Sequence, residues 1–565
     1  MPMSVSPVCP GVFWQAGPMR VTFLGHVGMY VETEGGSVLC DPWFNPAYFA
    51  SWFPFPRNDT LDVTPFATPD YLYVSHLHHD HFDPQWLAAN VDKNTTVLLP
   101  AFRVDHLERA LRELGFTKFV RTDHAEVVRL DGLEVVILSM TAPADGPAGD
   151  SALILRDSTA TLLNQNDARP RDFDELDRFG PYDAHFTQFS GAIWYPMVYD
   201  FPSVEKRAMG VAKRAAQMDR AVHYLTDVGA PHLFPVAGPP CFLDDDLWQF
   251  NDLGADPANI FPDQLTFLRE LEGQGIPGGR LLVPGSVAVI DHEGATVEHP
   301  PGSLHPDAIF TDKRAYLEQY RNDWADRLAA EKHSWPRGRY DITAELAEWF
   351  EPLLDLAPYT RRGVNGSVLI HFGDGGTLLD FSAGEVRVWD GEPVMHRIDV
   401  DRALVESLIE RHVEDWVNEL FLSCRFRAHR EGPYNEYVYT FFKNLSVERI
   451  AFCEGYYATL AEPVDEMFQC GEYLVQRRCP HLRADLQRFG TVTDGVLECK
   501  VHHWRFELAT GRCLTSDDPE HHLHTELLPT EGVQSEGEGR EHASSGVRAP
   551  EPGPERPGPQ GRERD

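Results

Sequence analysis

The stretch Tyr71-Leu72-Tyr73-Val74-Ser75-His76-Leu77-His78-His79-Asp80-His81-Phe82-Asp83 begins as an aromatic and β-branched run and ends in four imidazoles and two carboxylates. The first five residues have the composition of a strand, and no turn signal separates them from the polar cluster. Crowding so many titratable groups onto one strand-end loop costs mutual desolvation unless a cation gathers some of them. A metal site is therefore expected at the end of this strand. Upstream, Arg20-Val21-Thr22-Phe23-Leu24-Gly25-His26, then Met29 to Thr33, then Ser37-Val38-Leu39-Cys40-Asp41-Pro42-Trp43 read as successive strands of a meander, broken by Gly35-Gly36 and closed by Asp41.

The spacing His76-x-His78-x-Asp80-His81 resembles the signature of the metallo-β-lactamase fold. The opening with Gly25-His26 and Asp41-Pro42-Trp43 is similar to the lactonase and phospholipase D-like branch of that superfamily. The resemblance implies an αββα sandwich over about residues 19–290, with metals at one sheet edge. By the family pattern His76 and His78 would bind one metal, Asp80 and His81 a second, and Asp167, at the end of Leu162-Leu163-Asn164-Gln165-Asn166-Asp167, matches the bridging carboxylate. Asp80 and Asp167 are then the candidate catalytic carboxylates.

Two departures stand out. Family hydrolases place a further His after a strand corresponding to Val135-Val136-Ile137-Leu138, but here the loop reads Thr141-Ala142-Pro143-Ala144-Asp145-Gly146. None follows Leu233-Phe234-Pro235-Val236-Ala237-Gly238 either. Either Asp145 stands in as a ligand or the site holds one metal. His76, His78 and a carboxylate such as Asp167 or Asp80 approach the two-His, one-carboxylate set that leaves positions open on ferrous iron and suits oxygen activation; the competing reading is an eroded zinc hydrolase.

Near the other end, Cys479-Pro480-His481 and Cys499-Lys500-Val501-His502-His503-Trp504 offer two thiolates and two imidazoles on loops that a hairpin can bring together. The pattern resembles a Rieske domain over about Gly471 to Leu528, with Trp504 and Phe506 after the second pair and Gly511 closing the next turn. In that arrangement Cys479 and Cys499 hold one iron of a [2Fe-2S] cluster, and His481 and His502 hold the other. Zinc is the rival for Cys2His2, but zinc fingers pair Cys with Cys and His with His, whereas each pair here is mixed.

Between these landmarks, Val211, Ala215, Met218, Ala221, Val222 and Leu225 are spaced for a helix over Glu205 to Val228, with Lys206, Arg207, Lys213, Arg214 and Arg220 expected on a solvated face. Small-residue loops at Phe186 to Ala192 and Val236 to Pro240 are expected to lie at the metal rim. Residues 306–460 form an α/β middle region for substrate or docking. It carries a strand and hairpin set from Ser367 to Ile398 turning at Gly373-Asp374-Gly375-Gly376, a helix over Asp401 to Val417, and the basic, aromatic segment Arg425 to Tyr437. That segment suits either an anionic substrate or ion pairs with neighbouring acids. Residues 529–565 are poor in apolar side chains and are expected to be disordered.

The chain has 565 residues, 42% hydrophobic, with a formal charge of −37. The last 37 residues carry eight acids against five arginines, so the charge belongs to the body of the protein. Such acidity argues against nonspecific binding to nucleic acid or an anionic membrane. Nine Cys without a disulfide-framework spacing, no secretion signal and no long apolar run fit a cytoplasmic protein. No dinucleotide fingerprint is present, so electrons are expected from an external donor such as a ferredoxin, a reductase or a cytochrome b5-like carrier.

The fold class expected is α+β: a metallo-β-lactamase-like sandwich, an α/β middle region and a small all-β Rieske domain. The pairing resembles the CMP-N-acetylneuraminate hydroxylase group, in which the Rieske module comes first. It implies an oxidoreductase, a Rieske-dependent monooxygenase that uses O2 and Fe(II) at the His-rich site to hydroxylate an N-acyl sugar, nucleotide sugar or natural-product relative; the two domains must dock closely or two chains must exchange them, so a homo-oligomer is one expected arrangement. The alternatives are a zinc-dependent hydrolase of a lactone or phosphodiester with a redox-sensing Rieske domain, and an electron-transfer or dioxygen-reducing protein with no organic substrate.

Overall fold

The computed structural model describes residues 17–142, 145–301, 306–373, 375–460, 466–516 and 521–528. The segment 529–565, expected to be disordered, lies outside the described residues, as do Pro143, Ala144 and Asp374 of the two loops named above.

Two sheets face each other in the N-terminal half. One has eight strands in the spatial order Gly294–Glu298, Val287–Asp291, Met19–Gly25, Gly28–Thr33, Gly36–Cys40, Tyr71–Tyr73, Thr96–Leu99, Lys118–Arg121. The other has six, in the order His232–Val236, Ala184–Gln188, Thr161–Asn166, Asp150–Arg156, Leu133–Met140, Val127–Leu130. Alternation along the strands turns Val21, Phe23, Val38 and Tyr73 of the first sheet toward Ile137, Leu153, Leu162 and Phe186 of the second, forming one buried core. Helices Pro84–Asn90 and His106–Glu113 cover the outer face of the first sheet, and Phe173–Phe179, Ser203–Val228 and Gln264–Gly273 that of the second. The result is the expected αββα sandwich.

The middle region builds a five-stranded sheet, Glu385–Val388, Gly375–Asp380, Ser367–Phe372, His396–Val400, Phe426–Arg430, flanked by helices including Ile342–Asp355, Glu436–Lys443 and Val447–Leu460. It packs over the metal-edge loops of the sandwich, sharing a core with Trp43, Tyr48, Trp52, Trp194 and Tyr199. The basic segment helps fasten this joint: the Arg425 guanidinium binds Asp244 at 2.7 Å and donates to the carbonyls of Phe49 and Ala50, and His429 lies 3.0 Å from Asp200. The ion-pair reading of Arg425 and His429 is the one the structure supports.

The C-terminal part consists of two three-stranded sheets, Met467–Cys470, Tyr473–Gln476, Thr525–Leu527 and Gly490–Thr493, Val496–Cys499, Trp504–Glu507. It seats on helices Phe173–Phe179 and Ser203–Val228, where Phe489 packs against Phe173 (4.6 Å between ring centroids) and His223 (5.0 Å). Around this contact Arg477 pairs with Asp174, Arg478 with Asp172, Arg488 with Asp177 and Lys500 with Asp219. The long helix departs from the expected solvated basic face. Arg214 and Arg220 are buried, Arg214 against Asp252 and the Asp256 carbonyl, Arg220 toward the Val501 carbonyl, because the helix is covered on this side too.

His185, wholly buried in strand Ala184–Gln188, lies 2.8 Å from Gln165, and burial pulls its pKa down to about 3. The folded state therefore refuses a proton that the unfolded chain takes up below about pH 6.5, so stability is lost as pH falls from 6.5 toward 3, by about 2 kcal/mol at pH 5 from this group. His185→Gln should remove that part of the acid sensitivity in urea denaturation compared at pH 7 and pH 5. An unchanged pH dependence would contradict the assignment.

Candidate metal centre and iron-sulfur site

The His-rich stretch emerges from strand Tyr71–Tyr73 at the edge where several strands end. Asp41, directly after strand Gly36–Cys40, organises it: one carboxylate oxygen accepts from the Ser75 amide (2.7 Å), and the other accepts from the Ser75 hydroxyl (2.7 Å) and lies 3.1 Å from His81 Nδ1. With Nδ1 so held, His81 turns Nε2 inward. Backbone in the left-handed region recurs around this edge, at His26, Asp41, Asn166 and Ala237 (φ 57°, 39°, 47° and 52°). Non-glycine residues held there cost on the order of 1–3 kcal/mol each and gather at functional sites. Asn166 offsets part of that cost: its side-chain oxygen accepts from the amides of Asp167 and Ala168, which aims Asp167 at the histidines.

The polar side chains fall into two adjoining groups of three. His76, His78 and Asp167 form one; His26, Asp80 and His81 form the other, and within each the donor atoms lie within 4.8 Å of one another. His81 Nε2 stands 3.4 Å from Asp167 and links the groups. His76 Nε2 and His78 Nδ1 are 2.7 Å apart, two ring nitrogens converging on one point. His81 Nε2 and Asp167 Oδ1 are buried without a hydrogen bond among the described residues. Burial alone would lower the His81 pKa, but Asp167, Asp80 and Asp41 push it up to about 10. Burial would likewise raise Asp80, yet His81, His26 and His78 hold it well below the ordinary carboxylate range. Converging donors, orphaned lone pairs and a pocket that favours positive charge are what a cation site requires.

His26, which the sequence reading quoted only as part of the opening motif, joins Asp80 at 3.1 Å. Tyr48, not singled out at all, donates to the other Asp80 oxygen at 2.5 Å from a run of three left-handed residues, Tyr48 to Ala50. Asp145 is not brought into either group: its carboxylate is taken by Arg171 and the Ala142 amide, because the loop turns back on itself before reaching the histidines. Asp150 stands nearer, 3.2 Å from His76 Nδ1. Asp83 caps helix Pro84–Asn90 by accepting from Trp86, and His79 faces Glu419.

In the C-terminal part Cys479 and Cys499 are fully buried and their thiols touch. The rings of His481 and His502 stand 5.0 Å apart, each with a buried Nδ1 that has no hydrogen-bond partner among the described residues. Leaving such a group unpaired costs about 1–3 kcal/mol, so a ligand for both nitrogens fits the site. Each loop includes a left-handed residue, Arg483 and His503 (φ 62° and 61°), that wraps it around the cysteine. Glu436 of the middle region accepts from His481 Nε2 at 2.6 Å and lies 3.1 Å from His521 Nε2, which leaves His481 Nδ1 as the free lone pair. Although burial would raise the Glu436 pKa, His481 and His521 lower it to about 2, so it is ionised at any ordinary pH. The four side chains thus fit a two-iron cluster.

The two sites meet. A cavity of about 180 Å³ has His78, Asp80, Asp150 and Asp167 and also His502, Trp194 and Asn418 in its lining.

Comparison with known proteins agrees with this division. Residues 20–137 match the description "Beta-lactamase superfamily domain", residues 342–459 "Rv3818-like, SCP2-like domain", and residues 469–528 "Rieske [2Fe-2S] domain". The fold and site thus define a metallo-β-lactamase-like protein with a C-terminal Rieske domain, which implies a [2Fe-2S] cluster. The chain belongs to the family of Rieske 2Fe-2S iron-sulfur proteins that includes Rv3818 of Mycobacterium tuberculosis H37Rv, to which it is 46% identical over 513 residues, covering 88% of this chain and 98% of that one. It is also 46% identical over 517 residues to the like-named protein of Mycolicibacterium smegmatis, with the same coverage. Solved structures to which the chain is similar include Igni18, a metallo hydrolase from Ignicoccus hospitalis (13% identity, TM-score 0.32, 50% of this chain and 99% of that chain). CmlA, a diiron β-hydroxylase from Streptomyces venezuelae, gives 18% identity and a TM-score of 0.31 over 51% of this chain and 55% of that chain.

A carboxylate hydrogen-bonded to a cluster-side histidine stabilises the more positive, oxidised state. Glu436→Gln should therefore raise the reduction potential, by tens of millivolts, since 59 mV corresponds to a tenfold change for one electron. Redox titration followed by electron paramagnetic resonance measures it; a fall in potential would contradict the role given to Glu436.

Proposed function

We propose that this protein is a Rieske-dependent iron oxygenase, an oxidoreductase that takes electrons from an external donor protein and inserts oxygen into a small polar substrate. The observation that carries the reading is the shared cavity: His502 reaches the same space as His78, Asp80 and Asp167 within one chain. Electron transfer demands such closeness, and hydrolysis does not. In this reading Cys479, His481, Cys499 and His502 hold the [2Fe-2S] cluster, His76, His78 and Asp167 hold one iron, and His26, Asp80 and His81 are placed to hold a second. The cluster supplies single electrons, and iron at the His-rich site supplies dioxygen activation.

The chain's own residues do the remaining work. Asp41 fixes the tautomer of His81 through Nδ1, and Tyr48 and His26 orient Asp80 from both of its oxygens. Trp52, Ile193, Trp194, Val417 and Leu422 give the cavity apolar walls that limit water beside the metal ligands. Among the described residues no helix is long and apolar enough to cross a membrane.

Metal analysis separates this reading from a zinc hydrolase bearing a redox sensor. Protein purified anaerobically should carry roughly three or four irons with about two acid-labile sulfides per chain; two irons accompanied by zinc would select the hydrolase. His502→Ala should reduce substrate-dependent oxygen uptake to background while iron remains at the His-rich site, and undiminished uptake in that variant would remove the oxygenase proposal.

A further inference from the structure

Four cations converge behind the cavity. Arg169, Arg171, Lys213 and Arg220 lie close enough for Arg169 and Arg220 to depress the Lys213 pKa, which burial and these two bring down to about 7. Arg169 and Arg171 also act on His502. Arg171 has its counterion in Asp145, and Arg220 reaches the Val501 carbonyl at 3.4 Å. Arg169 is different. It lines the cavity, it is partly buried, and among the described residues it has neither an ion pair nor a hydrogen bond. Of the buried guanidiniums, Arg214 and Arg449 pair with carboxylates and Arg220 reaches a carbonyl, whereas Arg169 faces a cavity whose carboxylates are taken by other groups, and so it lacks an anion. Lys443 lines the same cavity and is near enough to His78 to help lower its pKa, so the wall around the first metal group is cationic on more than one side.

The space is small. About 180 Å³ holds on the order of six waters and lies below the ~300–1,000 Å³ of sites that enclose drug-sized ligands. A whole nucleotide sugar does not fit inside it. Trp52, Ile193, Trp194 and Leu422 supply apolar contact for a carbon skeleton, and of the carboxylates that line the cavity Asp80 and Asp167 belong to the metal groups, Asp145 pairs with Arg171 and Asp150 lies 3.2 Å from His76 Nδ1.

We propose that the cavity is an anion-recognising substrate site, in which Arg169 takes the carboxylate of a small organic acid and leaves the acid's carbon skeleton between Trp194 and the His78 and Asp167 side chains. A guanidinium presents two parallel N–H donors to a carboxylate and fixes its orientation as well as its charge. Arg169 is thus a specificity-determining residue. The inference rests on the oxygenase reading for the identity of the reacting centre, but the binding itself does not depend on it.

The test is calorimetric titration of the oxidised holoprotein, without reductant, using benzoate and its neutral isostere benzamide as probes. Benzoate should bind about tenfold or more tightly than benzamide, the worth of one charge-assisted pair. Arg169→Gln should lose that factor for benzoate and leave benzamide unchanged, Arg169→Lys should recover part of it, and retention of the cluster's visible absorption certifies the fold of each variant. Equal binding of the two probes, no benzoate binding, or full benzoate affinity in Arg169→Gln would overturn the proposal; in the last case a shifted cluster potential would assign Arg169 to the cluster instead. Arg169-dependent binding without substrate-dependent oxygen uptake would keep the anion site and remove the oxygenase reading, whereas uptake abolished by His502→Ala but indifferent to Arg169 would do the reverse.

Discussion

The seat of the Rieske part on helices Phe173–Phe179 and Ser203–Val228 is the constraint on which the rest of the molecule depends. Phe489 inserts among Phe173, His223 and Tyr224, and four cations of one part meet four aspartates of the other. Ion pairs this exposed contribute about 0–1 kcal/mol each, so the apolar contact holds the parts together and the charges set its orientation. Rotating the seat would carry His502 out of the cavity that it shares with His78. The backbone carbonyls recruited from both sides, Ala216 by His503 and Val501 by Arg220, tie that orientation to the loop that bears His502.

A second constraint acts from the opposite side. The middle region roofs the metal edge, contributing Asn418, Val417, Leu422 and Lys443 to the cavity and Glu436 to His481. One region therefore touches both ligand sets. Its Arg425 pins the carbonyls of Phe49 and Ala50, and that strained turn presents Tyr48 to Asp80. A change in the packing of the middle region would thus reach the metal ligands through one hydrogen-bonded chain of residues, which gives the region a mechanical tie to the site beyond covering it.

Much of this was legible in order along the chain. The ligand types at His76, His78, Asp80, His81 and in the two Cys-x-His and Cys-x-x-His pairs are local patterns, set by short spacing on strand-end loops, and the αββα layering was implied by the resemblance those patterns carry to the metallo-β-lactamase fold. What escaped the sequence was long-range. His26 and Tyr48 reach Asp80 across 54 and 32 positions, and nothing local marks either as its partner. Asp145 looked like a substitute ligand by its place after a strand, but Arg171 claims it once the loop folds back. Arg214 and Arg220 fit a solvated helix face by periodicity, because periodicity cannot report a second structure packed on that face.

The amino-acid sequence by itself determined which side chains can bind metal, since that depends on residue type and on spacings of a few positions, and through those motifs it resembled a family whose layers the chain forms. Only the tertiary structure decided that the two ligand sets open onto one cavity, that Glu436 stands behind His481, and that Arg169 faces that cavity without a partner among the described residues. Those are juxtapositions of segments well separated along the chain, fixed by the burial of apolar surface between parts of the molecule, and no local pattern encodes them.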